Sequence, residues 1–173
     1  MKRIITAVVH NRSGVLNRVT GLLSKRQFNI ESISVGRTET DGVSKMTFVV
    51  DVEDERKLEQ FSKQLNKQID VIKVSDITDK QIVARELAMI KVLTTPQQRG
   101  ELQAIIEPFR ATVIDVSKES MTVQITGNSD KVDAMIELLR PYGLKELART
   151  GLTAFTRGQQ LHQTEVKPYS ILN

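Results

Sequence analysis

The chain has 173 residues, enough for one compact domain or two small ones, and 39% of them are apolar, as in an ordinary globular protein with a core to bury. Its 25 basic and 21 acidic residues give a formal charge of +4, and the two signs are interleaved, which argues against a nucleic-acid surface. The absence of Cys excludes disulfides, thiolate metal sites and a cysteine nucleophile and fits a reducing compartment, and only His10 and His162 could serve as an imidazole base or ligand. The apolar run in "MKRIITAVV" is too short for a signal segment, and no later stretch approaches a membrane span, so the expectation is a cytoplasmic protein.

In chain order, "RIITAVV" reads as a strand, and Val15, Leu16, Val19, Leu22 and Leu23 then recur on one face of a helix that Lys25 and Arg26 close. "NIESISVGRT" and "SKMTFVVDV" form a hairpin around Asp41-Gly42. Glu53, Asp54 and Glu55 open a second helix with apolar positions Leu58, Phe61, Leu65 and Ile69, and "VIKVSDI" supplies another strand. The order is β-α-β-β-α-β.

A linker is expected near Thr78 to Ala84, after which the plan repeats. "RELAMIKVL" reads as a strand, and a helix from about Gln98 carries Leu102, Ile105, Ile106 and Phe109. The strands "ATVIDVS" and "SMTVQITG" follow; in the second, Met121, Val123 and Ile125 alternate with polar residues as in a half-buried antiparallel strand. A helix with Val132, Met135, Ile136 and Leu139 stops at Pro141 and Gly143, and one last strand runs through "LKELARTGLTAF". The expected class is α+β, with two ferredoxin-like βαββαβ domains in tandem over residues 1–78 and 79–158 and a flexible tail over 159–173.

The loop Asn11-Arg12-Ser13-Gly14 precedes the first helix. Backbone N–H groups at a helix start are unpaired and sit at the positive end of the dipole, and a glycine lets an anion approach. A carboxylate suits such a place, and Asn11 could reinforce the hold on it or take an ammonium group. The plainer alternative is that Ser13 caps the helix while Gly14 eases a turn; Asn29 could likewise serve only as a left-handed residue after the helix. His10 has no acid or nucleophile beside it in sequence, so catalysis is not expected of it. The acids Asp51, Glu53, Asp54 and Glu55 do not match a calcium loop and read as helix-start charges, so no metal site is expected. No phosphate-loop, dinucleotide, zinc-protease or serine-hydrolase motif occurs. An RNA-binding pair of domains has the same element order. It needs aromatic stacking platforms, and aromatics are 4% of the chain, with only Phe48 in a central strand of the first half.

Asn-x-x-Gly after the first strand resembles the ACT domain, a small amino-acid-sensing module. The run "HNRSGVLNRVTGLLSKRQFNIESISVG", with "MTFVVD" and "LEQFSKQLNKQIDVIKVSDI", is similar to the regulatory (small) subunit of acetolactate synthase, and "VAREL", "IKV", "FRATVIDVS" and "LARTGLTAFTRG" resemble that family's C-terminal domain. His10, Ser13 and Gln27 depart from the commonest family pattern, which has an acid, Pro and Gly there. The resemblance implies a subunit without catalytic residues of its own. Its expected partner is the large catalytic subunit, which uses thiamine diphosphate, Mg and FAD to join two pyruvates, or pyruvate and 2-oxobutanoate, on the route to branched-chain amino acids. It also implies activation of that subunit, feedback inhibition by valine, and a homodimer through ACT domains. The effector-binding residues it implies are Asn11, Gly14 and Val15 of one protomer and Asn29 and Ile30 of another. The corresponding second-half loop, "TTPQQRGEL", lacks Asn-x-x-Gly, so effector sites are expected only in the first domain.

Overall fold

Alternating branched residues make β1 (Lys2–His10) a strand that directs Ile5, Ala7 and Val9 into a core, and α1 (Val15–Lys25) lays Val15, Val19 and Leu23 over it. The computed structural model describes residues 1–25, 27–52 and 55–158. The hairpin β2 (Asn29–Arg37) and β3 (Val43–Asp51) turns at Gly42, whose φ of +72° only glycine adopts at no cost. Then come α2 (Glu55–Asn66), burying Leu58, Phe61 and Leu65, and β4 (Val71–Asp76). The strand order is β2-β3-β1-β4, antiparallel throughout. Glu53, Asp54, Arg26 and the tail 159–173 lie outside the described residues.

Two expected core positions are exposed. Leu16 lies at the margin of the helical stripe and is 46% exposed, because β2 is an edge strand and no further strand stands beside it to give cover. Ile69 is 90% exposed because α2 ends at Asn66; the turn bonds Gln68 N–H to Leu65 O and Val71 N–H to Gln68 O break the helical period before it is reached.

The second domain repeats the plan with β5 (Ile82–Leu93), α3 (Arg99–Ile106), β6 (Thr112–Val116), β7 (Ser120–Gly127), α4 (Ser129–Leu139), β8 (Leu144–Arg149) and β9 (Thr153–Thr156). Its sheet runs β6-β7-β5-β8, and Ile90, Val92, Leu102, Ile106, Val123, Ile125, Met135 and Leu139 fill its core. The single last strand expected from sequence is two. Gly151, at φ +80°, breaks it, so that β8 pairs with Ala88–Val92 while β9 pairs with Ile82–Arg85 at the start of β5. The linker is correspondingly shorter than Thr78 to Ala84, since β5 has begun by Ile82, and Arg157 N–H donates to Gln81 O. Arg3 fastens this connection through Asp76 (2.7 Å) and Asp79 (2.9 Å). Burial raises the Asp76 carboxyl, but hydrogen bonds from the Thr78 hydroxyl and N–H and the Arg3 guanidinium outweigh it and hold the group below the usual carboxylate value.

α1 ends in a left-handed cap. Gln27 N–H donates to Ser24 O and Phe28 N–H to Leu23 O, with Gln27 at φ +56°, the pattern in which a helix closes on a left-handed residue. Asn29 is therefore not the left-handed residue after the helix; it opens β2 opposite Asp51. A non-glycine residue in this region costs about 1 kcal/mol. Gln27→Gly should accordingly stabilise the chain by about 1 kcal/mol, raising Tm by about 2–4 °C, and thermal unfolding checks it. A lower Tm would show that the Gln27 side chain outweighs the backbone term.

Candidate functional site

The loop after β1 is pinned from two sides. His10 N–H donates to the main-chain oxygen of Asp70 (2.8 Å), and Asn11 N–H donates to Gly42 O (2.7 Å) in the hairpin turn. Val15 N–H then bonds Arg12 O (3.3 Å) and Arg18 N–H bonds Gly14 O (3.0 Å), so Gly14 rather than Ser13 stands at the cap of α1, at φ +81°. The N–H groups of Ser13, Gly14, Leu16 and Asn17 have no acceptor among the described residues, nor does the exposed Asn11 side chain have a partner there. Free N–H groups at a dipole's positive end, with an amide alongside, are chemically able to receive a carboxylate. Val15 is buried beneath this loop and anchors it to the core.

Sequence reasoning missed the charges that frame the loop. Asp70, only 4% exposed, accepts from Arg18 Nη2 at 2.5 Å, and Arg12 Nη1 lies 3.8 Å from its other oxygen. Arg18 also stands against Gly14: a Cβ on that glycine would lie 3.1 Å from Arg18 Nη1. One buried carboxylate thus aims two guanidinium groups around the Asn11–Gly14 segment. The i, i+4 step from Gly14 to Arg18 was a legible signal; the partnership of Arg18 with Asp70 was not, because 52 residues separate them.

Asn29 and Ile30 are at the other end of α1. Asn29 is exposed and pairs in register with Asp51, whose carboxylate accepts from the Met1 ammonium at 2.7 Å; Ile30 is half-buried against the first core. At 1.5 Å per residue, the length of α1 separates them from Gly14 by about 16 Å. Within one chain the two groups of expected effector residues are therefore not brought together. Between β2 and β3 the register shifts between Ile30 and Ser32, marking a bulge at Glu31.

The His10 side chain makes no hydrogen bond or ion pair among the described residues, and no group of three or more His, Asp or Glu there could hold a metal ion. Phe48, the aromatic on which an RNA-stacking face would depend, is fully buried beneath the helices, so it offers bases no surface. No helix among the described residues is long and apolar enough to cross a membrane.

Comparison with known proteins accounts for both halves. Residues 5–73 match the family model of the AHAS small subunit-like ACT domain, and residues 85–158 match that of the small subunit of acetolactate synthase. The chain is 63% identical to the acetolactate synthase small subunit of Bacillus subtilis (strain 168), over 99% of this chain and 100% of that one. It is 51% identical to the probable acetolactate synthase small subunit of Archaeoglobus fulgidus, over 92% and 99% respectively. The crystal structure of the acetolactate synthase small subunit from Thermotoga maritima superposes with a TM-score of 0.84 at 38% identity, covering 92% of this chain and 99% of that one. The chain belongs to the acetolactate synthase small-subunit family, with an ACT domain as its N-terminal half.

Proposed function

We propose that the chain is the regulatory subunit of acetolactate synthase: it raises the activity of the large catalytic subunit and makes that activity subject to inhibition by valine. The single observation carrying the effector reading is the separation of the two half-sites. The carboxylate-receiving loop at Asn11 and Gly14 and the Asn29–Ile30 segment lie at opposite ends of α1, about 16 Å apart, so one valine meets both only where two ACT domains face each other.

The edge of the first sheet supports that pairing. β2 has a strand on only one side, and Leu16 and Val35 are each 46% exposed there, with Val35 on the helix-bearing face opposite the buried Met46. An open edge flanked by apolar residues invites a second copy of itself, which is the isologous arrangement of a two-fold dimer. In that dimer the loop N–H groups and Asn11 of one protomer hold the valine carboxylate and ammonium. Asn29 and Ile30 of the other close over the side chain, and Val15 supports the loop from below. Thiamine diphosphate, Mg and FAD belong to the catalytic subunit, and the carbon–carbon bond is made there.

The isolated chain should therefore form at least a dimer by light scattering and bind valine in calorimetry. It should make no acetolactate from pyruvate, and it should increase the rate of added catalytic subunit, an increase that valine reverses. A strictly monomeric chain that binds valine stoichiometrically would sink the two-protomer site. Failure to alter the catalytic subunit's rate would sink the regulatory role.

A further inference from the structure

The second domain touches the first along β2, the strand that begins with Asn29 and Ile30. The Ser34 and Thr153 hydroxyls are 2.7 Å apart, and Leu152 N–H points at Ser32 Oγ from 3.5 Å. Leu152 and Ala154 are buried. Gly151 comes so close that a Cβ on it would stand 3.1 Å from the Ile33 carbonyl oxygen and 3.3 Å from Ser32 Cβ. Next to this contact the Lys45 ammonium lies over the Phe155 ring, 5.7 Å from its centre.

Beside the contact the domains diverge around a cleft of about 690 Å³ bordered by Ile30, Glu31, Glu86, Asp133 and Arg149. Among the described residues Arg149 pairs with Glu86 and Asp133 on one wall, and Lys2 with Glu31 on the other. The contact stands next to an open cleft, an arrangement about which paired domains can shift.

β2 carries three features in succession: Asn29 and Ile30, the bulge at Glu31, and the docking segment Ser32 to Ser34. A bulge is where a strand bends and twists most, so a pull at Ile30 is delivered to Ser32 as a change of direction. We infer that the seating of Gly151, Leu152 and Thr153 on Ser32, Ile33 and Ser34 is the contact through which effector occupancy of the ACT domain reaches the second domain. The inference rests on the effector reading proposed above. Valine biases the position of the second domain to the extent that it binds one seating of this contact better than another.

The test uses the full chain with its catalytic subunit. Gly151→Ala adds a methyl group against a backbone carbonyl and should unseat the turn. Valine binding by calorimetry should stay within about threefold of wild type and activation should persist, while the valine concentration for half-inhibition rises about tenfold or more. Thr153→Val, which removes one hydroxyl at nearly constant volume, should act in the same direction more weakly, and it carries the test if Gly151→Ala does not fold. Wild-type inhibition in a folded Gly151→Ala or in Thr153→Val overturns the inference, as does a parallel loss of binding and inhibition. A wild-type chain that binds no valine overturns the effector reading first, and this one with it.

Discussion

Gly14→Asp is expected to raise the valine concentration needed for inhibition by about 100-fold or more while leaving a folded chain that still activates the catalytic subunit. At φ +81° the backbone is left-handed, and Asp is among the few residues that tolerate this, at a cost of about 1 kcal/mol. The new side chain starts 3.1 Å from Arg18 Nη1, the movable tip of a long chain, so it can be accommodated. Its carboxylate then occupies the space above the free N–H groups and competes with Asp70 for Arg18 as well as with the carboxylate of valine. Losing charge-assisted hydrogen bonds worth about 2–3 kcal/mol corresponds to about 100-fold. Gly14→Ala has the strained backbone without the charge and should lose less than about tenfold. Tm, activation and valine inhibition measured on one preparation separate the accounts. A stable, activating Gly14→Asp chain with undiminished valine sensitivity would show that the loop is not the sensor. Joint loss of all three would assign Gly14 to the turn alone.

Asp70→Asn should lower stability by about 2 kcal/mol, a fall in Tm of about 4–8 °C. The substitution keeps the shape but removes the negative charge that Arg12 and Arg18 share. A fully buried pair broken on one side costs about 3–5 kcal/mol, but Arg18 is 47% exposed and regains water when released, which brings the loss down. The reverse substitution, Arg18→Met, strands the carboxylate of a residue that is 4% exposed with only Arg12, 3.8 Å away, to compensate it. It should therefore be the more damaging of the two. Denaturant unfolding ranks them, and equal or inverted costs would mean that the pairing of Asp70 with Arg18 contributes little to the fold.

Most of the element order was legible because hydrophobic period changes from two to about 3.6 wherever strand gives way to helix, and Met121, Val123 and Ile125 are buried as their alternation requires. The misplacements are all at margins. Ile69 keeps the helical spacing by coincidence after the helix has ended, and "ARTGLT" keeps strand-like residues across a glycine that in fact turns the chain. The geometry of the loop after β1 was legible too, since a glycine before an amphipathic helix has a local backbone meaning. Arg18 with Asp70 was not, because their meeting depends on how β4 aligns with α1. The conjunction of Asn11 with Asn29 came only through family resemblance, as the spacing within one chain keeps them apart.

The split of the last strand into β8 and β9 sets an order in time. A chain emerging from the ribosome completes the first sheet when β4 appears, and N-terminal domains fold ahead of the rest. The outer side of β2 must then wait for Thr153, 119 residues after its partner Ser34, before it is covered. Throughout that interval the flank of β2 that carries Ser32 and Ser34 is bare and open to a neighbouring chain, whereas the strand edge stays free afterwards for the second copy. The final four-residue strand therefore decides when the subunit stops being available to the wrong partner, and a chain terminated before Thr153 would be released with that decision never made.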